Sequence, residues 1–273
     1  MIELPRFRSP PVTEASLSIQ FNTLPFNNAL AGLFWGEVRD RYSTVVEQMP
    51  LPPAFETFGS DVSQSLSFPF PIWGPAASRF WYLTSDEVYV LQLQQDRLVR
   101  NWRKRADDHV YPGYFVIKKA LEQDLAQLVD FADRENLGLL VPNQCEVSYT
   151  NVIIPPEETD PGKNMSRITS ICPVNPQGPD GTTFEGSTTQ ARFLVNDVQG
   201  HPVGRIYASF APQVASDGRL VVRVDLLIRG RPPEANLPEA LEFLDFLHSA
   251  AVRSFVALTT AEMHQIWGLD REL

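Results

Sequence analysis

The sequence predicts an α+β protein of two pseudo-repeated units, in which each unit is an antiparallel sheet packed against a long helix. Two observations support this prediction. One order of elements (a strand, a long connection, a three-strand meander and a long helix) occurs twice along the 273 residues. The two copies also share a short similar sequence before the long helix. The first copy has "DRLV" at 96–99, and the second has "GRLV" at 218–221.

The first unit opens with a strand and a helix. Residues 10–22 alternate apolar and polar side chains, as a half-buried strand does, and the apolar face holds Ala15, Leu17, Ile19 and Phe21. Residues 26–43 then have the spacing of an amphipathic helix, whose apolar face holds Leu30, Leu33, Phe34, Val38 and Tyr42.

Three strands and the strongest helix of the chain complete the first unit. After a proline-rich connection at 49–75, the residue pattern predicts strands at 79–84, 87–94 and 97–102, separated by short polar turns that are typical of an antiparallel meander. Residues 113–135 have helical spacing, and their apolar face holds Ile117, Leu121, Leu125, Leu128 and Phe131.

The second unit repeats this order. A strand at 144–154 is followed by a polar connection at 155–181, and then by strands at 188–197, 200–210 and 218–230. A long amphipathic helix at 237–258 follows the last of them. We place the boundary near Leu139–Val141, which gives units 1–140 and 141–273. A shared core in a helix-grip or TBP-like arrangement is expected, since one unit alone would expose a sheet face.

Composition and charge restrict the classes of function. The chain is 43% hydrophobic with a net charge of −10, which disfavours indiscriminate binding to nucleic acid or to an anionic membrane. Its amino terminus lacks the apolar core of a signal peptide, and no run approaches the roughly 18 apolar residues that span a bilayer. With only Cys145 and Cys172 present, we expect a cytoplasmic protein with reduced thiols.

The stretch "DRLVRNWRKR" at 96–105 is a local basic exception. Strand alternation places Leu98, Arg100 and Trp102 on one face and Arg97, Val99, Asn101 and Arg103 on the other. We therefore expect Trp102 to be buried against the helix at 113–135, Arg100 to lie at the core margin or pair with a carboxylate, and Arg97 and Arg103 to be exposed.

Two interpretations of this basic strand are open. A solvated strand face that discourages edge pairing is favoured, because charged outer faces are common in sheets. The alternative is contact with an anion, an acidic peptide or nucleic acid, with Arg97, Arg103 and Arg105 as donors. No RNA-recognition or helix-turn-helix signature supports nucleic acid.

Catalytic signatures are weak. Asp245 and His248 lie three residues apart on one predicted helix, but a metal site on helices needs a second such pair, so an imidazole paired with its neighbour is favoured. Gly-x-Ser-x-Gly, Walker and dinucleotide-binding glycine motifs are absent from the sequence. No catalytic residue, metal or cofactor is therefore assigned.

The carboxyl terminus "LTTAEMHQIWG" predicts a short helix. Thr259 is expected to cap it together with Glu262 in a capping box, which turns Trp267 back toward the body of the protein. Trp267 is interpreted as a core anchor, with a partner-binding anchor as the alternative.

Four segments together resemble a sporadically distributed, uncharacterised bacterial family of about this length. They are "PPVTEASLSIQF", "DRLVRNWRK" followed by "YPGY", "CEVSYTN" and "LTTAEMHQIWG". The Tyr-x-Asn motif of that family is kept at Tyr149 and Asn151. The family offers no catalytic residue to transfer. Its patchy distribution is what genes of mobile islands show, which implies a defence or toxin–antitoxin locus.

Three functions of different classes follow, in order of preference. The first is a non-catalytic protein-binding or regulatory module, for which the aromatic and proline-rich segment 68–73, ending in Trp73, offers docking residues. The second is a helix-grip binder of a small apolar ligand. The third is an enzyme that uses Asp245, His248 or His264. Another protein is the expected partner, no membrane is expected, and the oligomeric state is left open.

Overall fold

The computed structural model describes residues 4–59, 78–155, 160, 162–172, 178–215 and 217–270. The elements of the first half are β1 (Arg6–Phe7), β2 (Val12–Phe21), α1 (Asn28–Val38), β3 (Thr44–Gln48), β4 (Arg79–Leu83), β5 (Tyr89–Gln94), β6 (Arg97–Arg103) and α2 (Tyr114–Arg134). Those of the second half are β7 (Pro142–Ile153), a 3-10 turn (Met165–Arg167), β8 (Thr189–Asn196), β9 (Pro202–Val214), β10 (Leu220–Gly230), α3 (Leu237–Leu258), α4 (Ala261–Trp267) and β11 (Leu269–Asp270).

Nine strands form one continuous antiparallel sheet in the order β3-β4-β5-β6-β2-β7-β10-β9-β8. The α+β class is confirmed, but one sheet replaces the two that the sequence predicts. The strands β2 and β7 join the two sets, with Leu17 opposite Val147 and Ile19 opposite Cys145. The physical reason is that β2 and β7 would otherwise be edge strands with unpaired backbone groups.

One face of the sheet carries the helices. The helix α2 packs on β2 and β6, and α3 packs on β7 and β10. The helix α1 lies against β4 and α2, where Phe34 meets the ring of Phe131 at 5.3 Å and the Tyr82 hydroxyl donates to the Ala31 carbonyl at 3.0 Å. The layer between sheet and helices is filled by buried apolar side chains that include Leu98, Trp102, Leu121, Leu128 and Leu244.

Several local expectations are corrected by the structure. The first helix ends at Val38 and leaves Leu33 exposed, and β3 forms in the residues that follow it. The cap of α4 is Thr260, whose hydroxyl accepts from the Met263 amide, while Thr259 ends α3. The capping-box spacing to Glu262 favours Thr259 in the sequence, but Thr259 ends α3, and the next threonine therefore caps α4.

The two ends of the described chain meet. The strand β1 pairs with β11, and Phe7 packs edge-on against Phe255 and Trp267 with ring centroids 5.6 and 5.8 Å apart. Among the described residues, no helix has the length and apolar character needed to cross a membrane.

Candidate functional site

The face of the sheet opposite the helices is polar. Residues that are paired across antiparallel strands point to the same face, so one row of side chains can be followed from strand to strand. Gln94 is paired with Arg97, Arg97 with Gln20, and Gln20 with Gln144. This row of four crosses β5, β6, β2 and β7 near the end of the sheet from which the connection after β3 departs.

A segment of the connection after β3, residues 51–58, crosses this polar face, and we call it the strap. The carboxamide of Gln94 accepts from the Leu51 amide and donates to the Leu51 carbonyl, both at 3.0 Å. Gln20 accepts from the Ala54 amide at 2.9 Å, and Gln144 accepts from the Glu56 amide at 3.4 Å. Side-chain amides of the sheet therefore hold the main chain of the strap.

Arg97 lies beneath the strap, and the expectation that it is exposed is wrong. Its guanidinium donates to the Gln20 side-chain oxygen and to the Pro52 carbonyl, and its side chain is buried. Burial lowers the pKa of Arg97, which nearby Glu146 and Asp96 oppose. Alternation placed Arg97 on the correct face, but it carried no information about a segment from elsewhere in the chain that covers that face.

Near its end the strap carries a buried carboxylate, that of Glu56. The Glu56 side chain is only 1% exposed, and it accepts from the Tyr207 hydroxyl at 2.9 and 3.2 Å. It also pairs with Arg205, and Arg229 approaches to 3.6 Å. Arg205 and Tyr207 come from β9 and Arg229 from β10, and together they form the pocket that holds the Glu56 carboxylate. Arg229 is shared with Glu146 of β7, at 2.6 Å.

A small recess separates the strap from the sheet. Its cavity volume is only about 10 Å³, and its lining includes Ser18, Arg97, Glu146 and Arg229, with Ala54 of the strap on one side. Among the described residues, the buried Nε of Arg97 has no hydrogen-bond partner. A cavity of this size has room for about one water molecule and is far below the roughly 300–1,000 Å³ of drug-sized ligand pockets.

Two further arginines of the basic stretch, Arg103 and Arg105, both contact Glu87. Arg103 donates to the Glu87 carbonyl at 3.1 Å and lies over the Trp81 ring at 5.4 Å. Arg105 pairs with the Glu87 carboxylate at 2.7 Å. Arg103 is half-buried and Arg105 is exposed, so the face does not present the row of free arginines that contact with an anion or nucleic acid would need.

Arg100 is part of a buried ion-pair cluster on the helical face. It pairs with Asp124 of α2 at 3.1 Å, and Asp124 also accepts from Tyr42 at 2.8 Å and from Arg41 at 2.5 Å. Burial raises the pKa of Asp124, which the two guanidinium groups oppose. The prediction that Arg100 pairs with a carboxylate is confirmed, and Trp102 is buried beside this cluster on the same face.

His248 lies in a cluster of tyrosines between α2, α3 and β7. Its ring stacks on Tyr114 at 3.9 Å, and its Nδ1 is 2.9 Å from the Tyr149 hydroxyl. Asp245 turns away to accept from Tyr114 and Lys118, both at 2.8 Å. Burial lowers the pKa of His248 to about 4 and raises that of Tyr149. His248 is therefore neutral near pH 7, and its Nδ1 can accept the hydrogen bond of the Tyr149 hydroxyl.

The remaining residues of interest are placed as follows. Trp267 is buried and stacks on Phe255 at 5.2 Å, which is the core-anchor role. His264 is buried and its Nε2 is 2.9 Å from the Thr259 hydroxyl. Cys145 is buried, and desolvation raises the pKa of its thiol to about 12. Trp73 lies outside the described residues.

Comparison with known proteins does not assign the chain to a family. No protein-family model matches the sequence, and no curated protein is significantly similar to it. Within the described residues, no group of three or more His, Cys, Asp or Glu side chains is arranged to hold a metal ion.

The strap site was missed in the sequence, although one signal for it was present. The strand at 10–22 has polar residues on one face, including Ser16, Ser18 and Gln20, and strand alternation alone accounts for them. The signal in the sequence is a set of glutamines at 20, 94 and 144, each near a strand end. A glutamine carboxamide both donates and accepts, so it can pair with a main chain as Gln94 does.

Proposed function

We propose that the protein is a non-catalytic protein-binding module that binds an extended segment of a partner across the polar face of its sheet. The observation that supports this most directly is the strap. Its main chain is held by the side-chain amides of Gln20, Gln94 and Gln144, and the buried carboxylate of Glu56 adds one side-chain anchor. Recognition of extended peptides commonly combines main-chain hydrogen bonds for affinity with side-chain pockets for specificity.

Within the described residues, a part of the same face that the strap does not cover extends this platform. On β8, β9 and β10 it is formed by Gln190, Arg192, Ser209, Arg223 and Asp225, and we call these residues the shelf. Gln190, Arg192 and Arg223 are exposed, while Ser209 and Asp225 are half-buried. Cross-strand pairing joins Asp225 to Ser209 and Ser209 to Gln190. The shelf continues the polar face beyond the pocket that holds Glu56, and it gives a partner segment room to extend.

We also infer that the platform arose by duplication of one α+β unit, in the TBP-like arrangement that the sequence predicts. The order of strands supports it, because β2 and β7 are central neighbours and β6 and β10 flank them on either side. Each flanking strand precedes a long helix that packs back on the sheet. Superposition of residues 10–140 on 141–270 tests this, and halves with no common sheet-and-helix core would contradict it.

Photo-crosslinking in the native host tests the binding function. Arg223 of the shelf is replaced by p-benzoylphenylalanine, and the matched control carries the same residue at Lys119, which is exposed on α2. A specific partner adduct, identified by mass spectrometry, is expected from position 223 and not from 119. Equal adducts from both positions, or none from 223, would count against the proposal.

The place of such a module in a defence or toxin–antitoxin locus remains a prediction from the family resemblance. Within the described residues, no observation favours an apolar ligand between sheet and helices, because that layer is filled by side chains such as Leu98, Trp102 and Leu128. The units 1–140 and 141–273 likewise remain predictions.

A further inference from the structure

The pocket around Glu56 is built by residues far from it in the sequence. Arg205 and Tyr207 are 149 and 151 residues away, on a strand of the second half, while Glu56 belongs to a strap with no strand pairing of its own. The carboxylate is nevertheless almost fully buried. The pocket residues belong to strands of the sheet, whereas Glu56 belongs to the strap. The strap could therefore leave the pocket without disrupting the pairing of the strands.

The charge of the pocket requires an anionic occupant. Without Glu56, two guanidinium groups, Arg205 and Arg229, would face one carboxylate, Glu146. An excess positive charge in a partly buried site is costly unless it is paired, and the planar guanidinium groups suit a carboxylate. The Tyr207 hydroxyl adds a neutral donor to the same oxygens.

We propose that the Arg205–Tyr207–Arg229 pocket recognises an acidic side chain in an extended segment of the partner protein, and that Glu56 occupies this pocket in cis as a competitor. This inference rests on the proposed binding function and specifies its ligand. The partner segment resembles the strap in chemistry. Gln20, Gln94 and Gln144 form hydrogen bonds with its main chain, and one of its carboxylates enters the pocket. The strap must leave before the partner binds there.

Peptide binding in trans tests the proposal. The probe is a fluorescent peptide with the sequence of residues 49–59, MPLPPAFETFG, and its matched control is MPLPPAFQTFG. The proteins are the full chain, Glu56→Ala, and Glu56→Ala combined with Arg205→Gln or with Arg219→Gln. Arg219 is an exposed arginine paired with Asp217 in the turn before β10, and it serves as the control for loss of one positive charge.

Acid recognition has a defined signature in fluorescence anisotropy. Glu56→Ala is expected to bind the glutamate peptide at least about tenfold more tightly than the full chain does, since the internal competitor is gone. The glutamine peptide should bind this variant at least about tenfold more weakly, and Arg205→Gln should abolish the difference between the peptides. Arg219→Gln should leave the difference intact.

The outcomes separate the two proposals. Equal binding of both peptides to Glu56→Ala would overturn acid recognition and leave the platform standing, whereas no binding of either peptide would overturn both. If Glu56→Ala does not fold, the experiment uses Glu56→Gln in its place, because glutamine keeps the shape of the side chain. Hydrogen exchange adds a direct readout in the full chain: saturating glutamate peptide should accelerate exchange of the strap amides, and unchanged exchange would overturn competition.

Discussion

The carboxylate of Asp124 lies 2.8 Å from the hydroxyl of Tyr42, and the same carboxylate pairs with Arg100 and Arg41. Asp124 is fully buried on α2, and Arg100 comes from β6, so the cluster ties the helix to the sheet through charge as well as apolar contact. The sequence predicts that Arg100 lies at the core margin or pairs with a carboxylate, but it does not identify Asp124 as that partner.

Replacing Asp124 with asparagine should destabilise the fold strongly. The substitution leaves the buried guanidinium of Arg100 without its counter-charge, for which a loss of about 3–5 kcal/mol in the free energy of unfolding is expected. Urea denaturation followed by circular dichroism measures it. The control is Asp130→Asn, at an exposed position of the same helix, which should change stability by no more than about 0.5 kcal/mol. Equal losses would show that Asp124 has no special role.

Replacing Gln94 with methionine should release the first part of the strap. Methionine keeps the volume but loses both hydrogen bonds to Leu51, each worth about 1 kcal/mol. Hydrogen exchange should accelerate at the amides of residues 51–58, while the exchange of β5 itself changes little. Gln213→Met, at an exposed position of β9, is the matched control. Unchanged exchange in the strap would mean that Gln94 does not hold it.

His248 should make the fold sensitive to acid. Burial lowers its pKa from the ordinary 6.5 to about 4, so between these values the unfolded chain binds a proton that the folded protein does not. The contribution of His248 to the free energy of unfolding is therefore complete above about pH 6.5. It falls as the pH drops, by about 2–3 kcal/mol at pH 4.5.

The effect is isolated by comparing each variant with the parent at pH 7 and at pH 4.5. His248→Gln should cost more stability at pH 7 than at pH 4.5, because the variant has no proton to bind in the unfolded state. His201→Gln, at a side chain 77% exposed, should show no such difference. A pH-independent cost at position 248 would contradict the buried neutral imidazole.

Gly230 should not tolerate alanine. It pairs with Gly204, and a Cβ at Gly230 would lie 2.4 Å from the Val203 carbonyl oxygen and 3.0 Å from the Phe243 ring of α3. A loss of at least about 2 kcal/mol in the free energy of unfolding is expected, since the backbone must move.

Gly36→Ala on α1 is the matched control for that substitution. A Cβ at Gly36 meets nothing within 4 Å, so alanine should raise stability by about 0.5–1 kcal/mol through its helix propensity. Thermal melting of both variants and the parent measures these changes in stability. A Gly230→Ala protein as stable as the parent would mean that β9, β10 and α3 adjust freely at this point.

Periodicity predicted most strands and both long helices, because their apolar residues face one common core. The helix predicted at 113–135 is observed as α2, and that at 237–258 as α3. Alternation also assigned Trp102 and Arg97 to opposite faces correctly. The predicted exposure of Arg97 failed for a different reason, since the strap reaches it from 45 residues away.

The candidate site could not be predicted because it depends on contacts between distant segments. Glu56 lies in a proline-rich connection with no periodic pattern, and its partners Arg205 and Arg229 look like charged outer residues of two strands. Charge and spacing along the chain do not encode which carboxylate meets which arginine. Only the joining of β2 to β7 brings the two halves close enough for the strap to cross between them.

That joining has a consequence for synthesis. Ser16 and Ser148 lie side by side with their hydroxyls 2.7 Å apart, although 132 residues separate them. A ribosome that adds about 5–20 residues per second needs about 7–26 seconds to pass from β2 to the end of β7. Throughout that time the nascent chain has one side of β2 open to any other strand. A truncated translation product that stops before β7 keeps this side open permanently, and it is expected to aggregate through it.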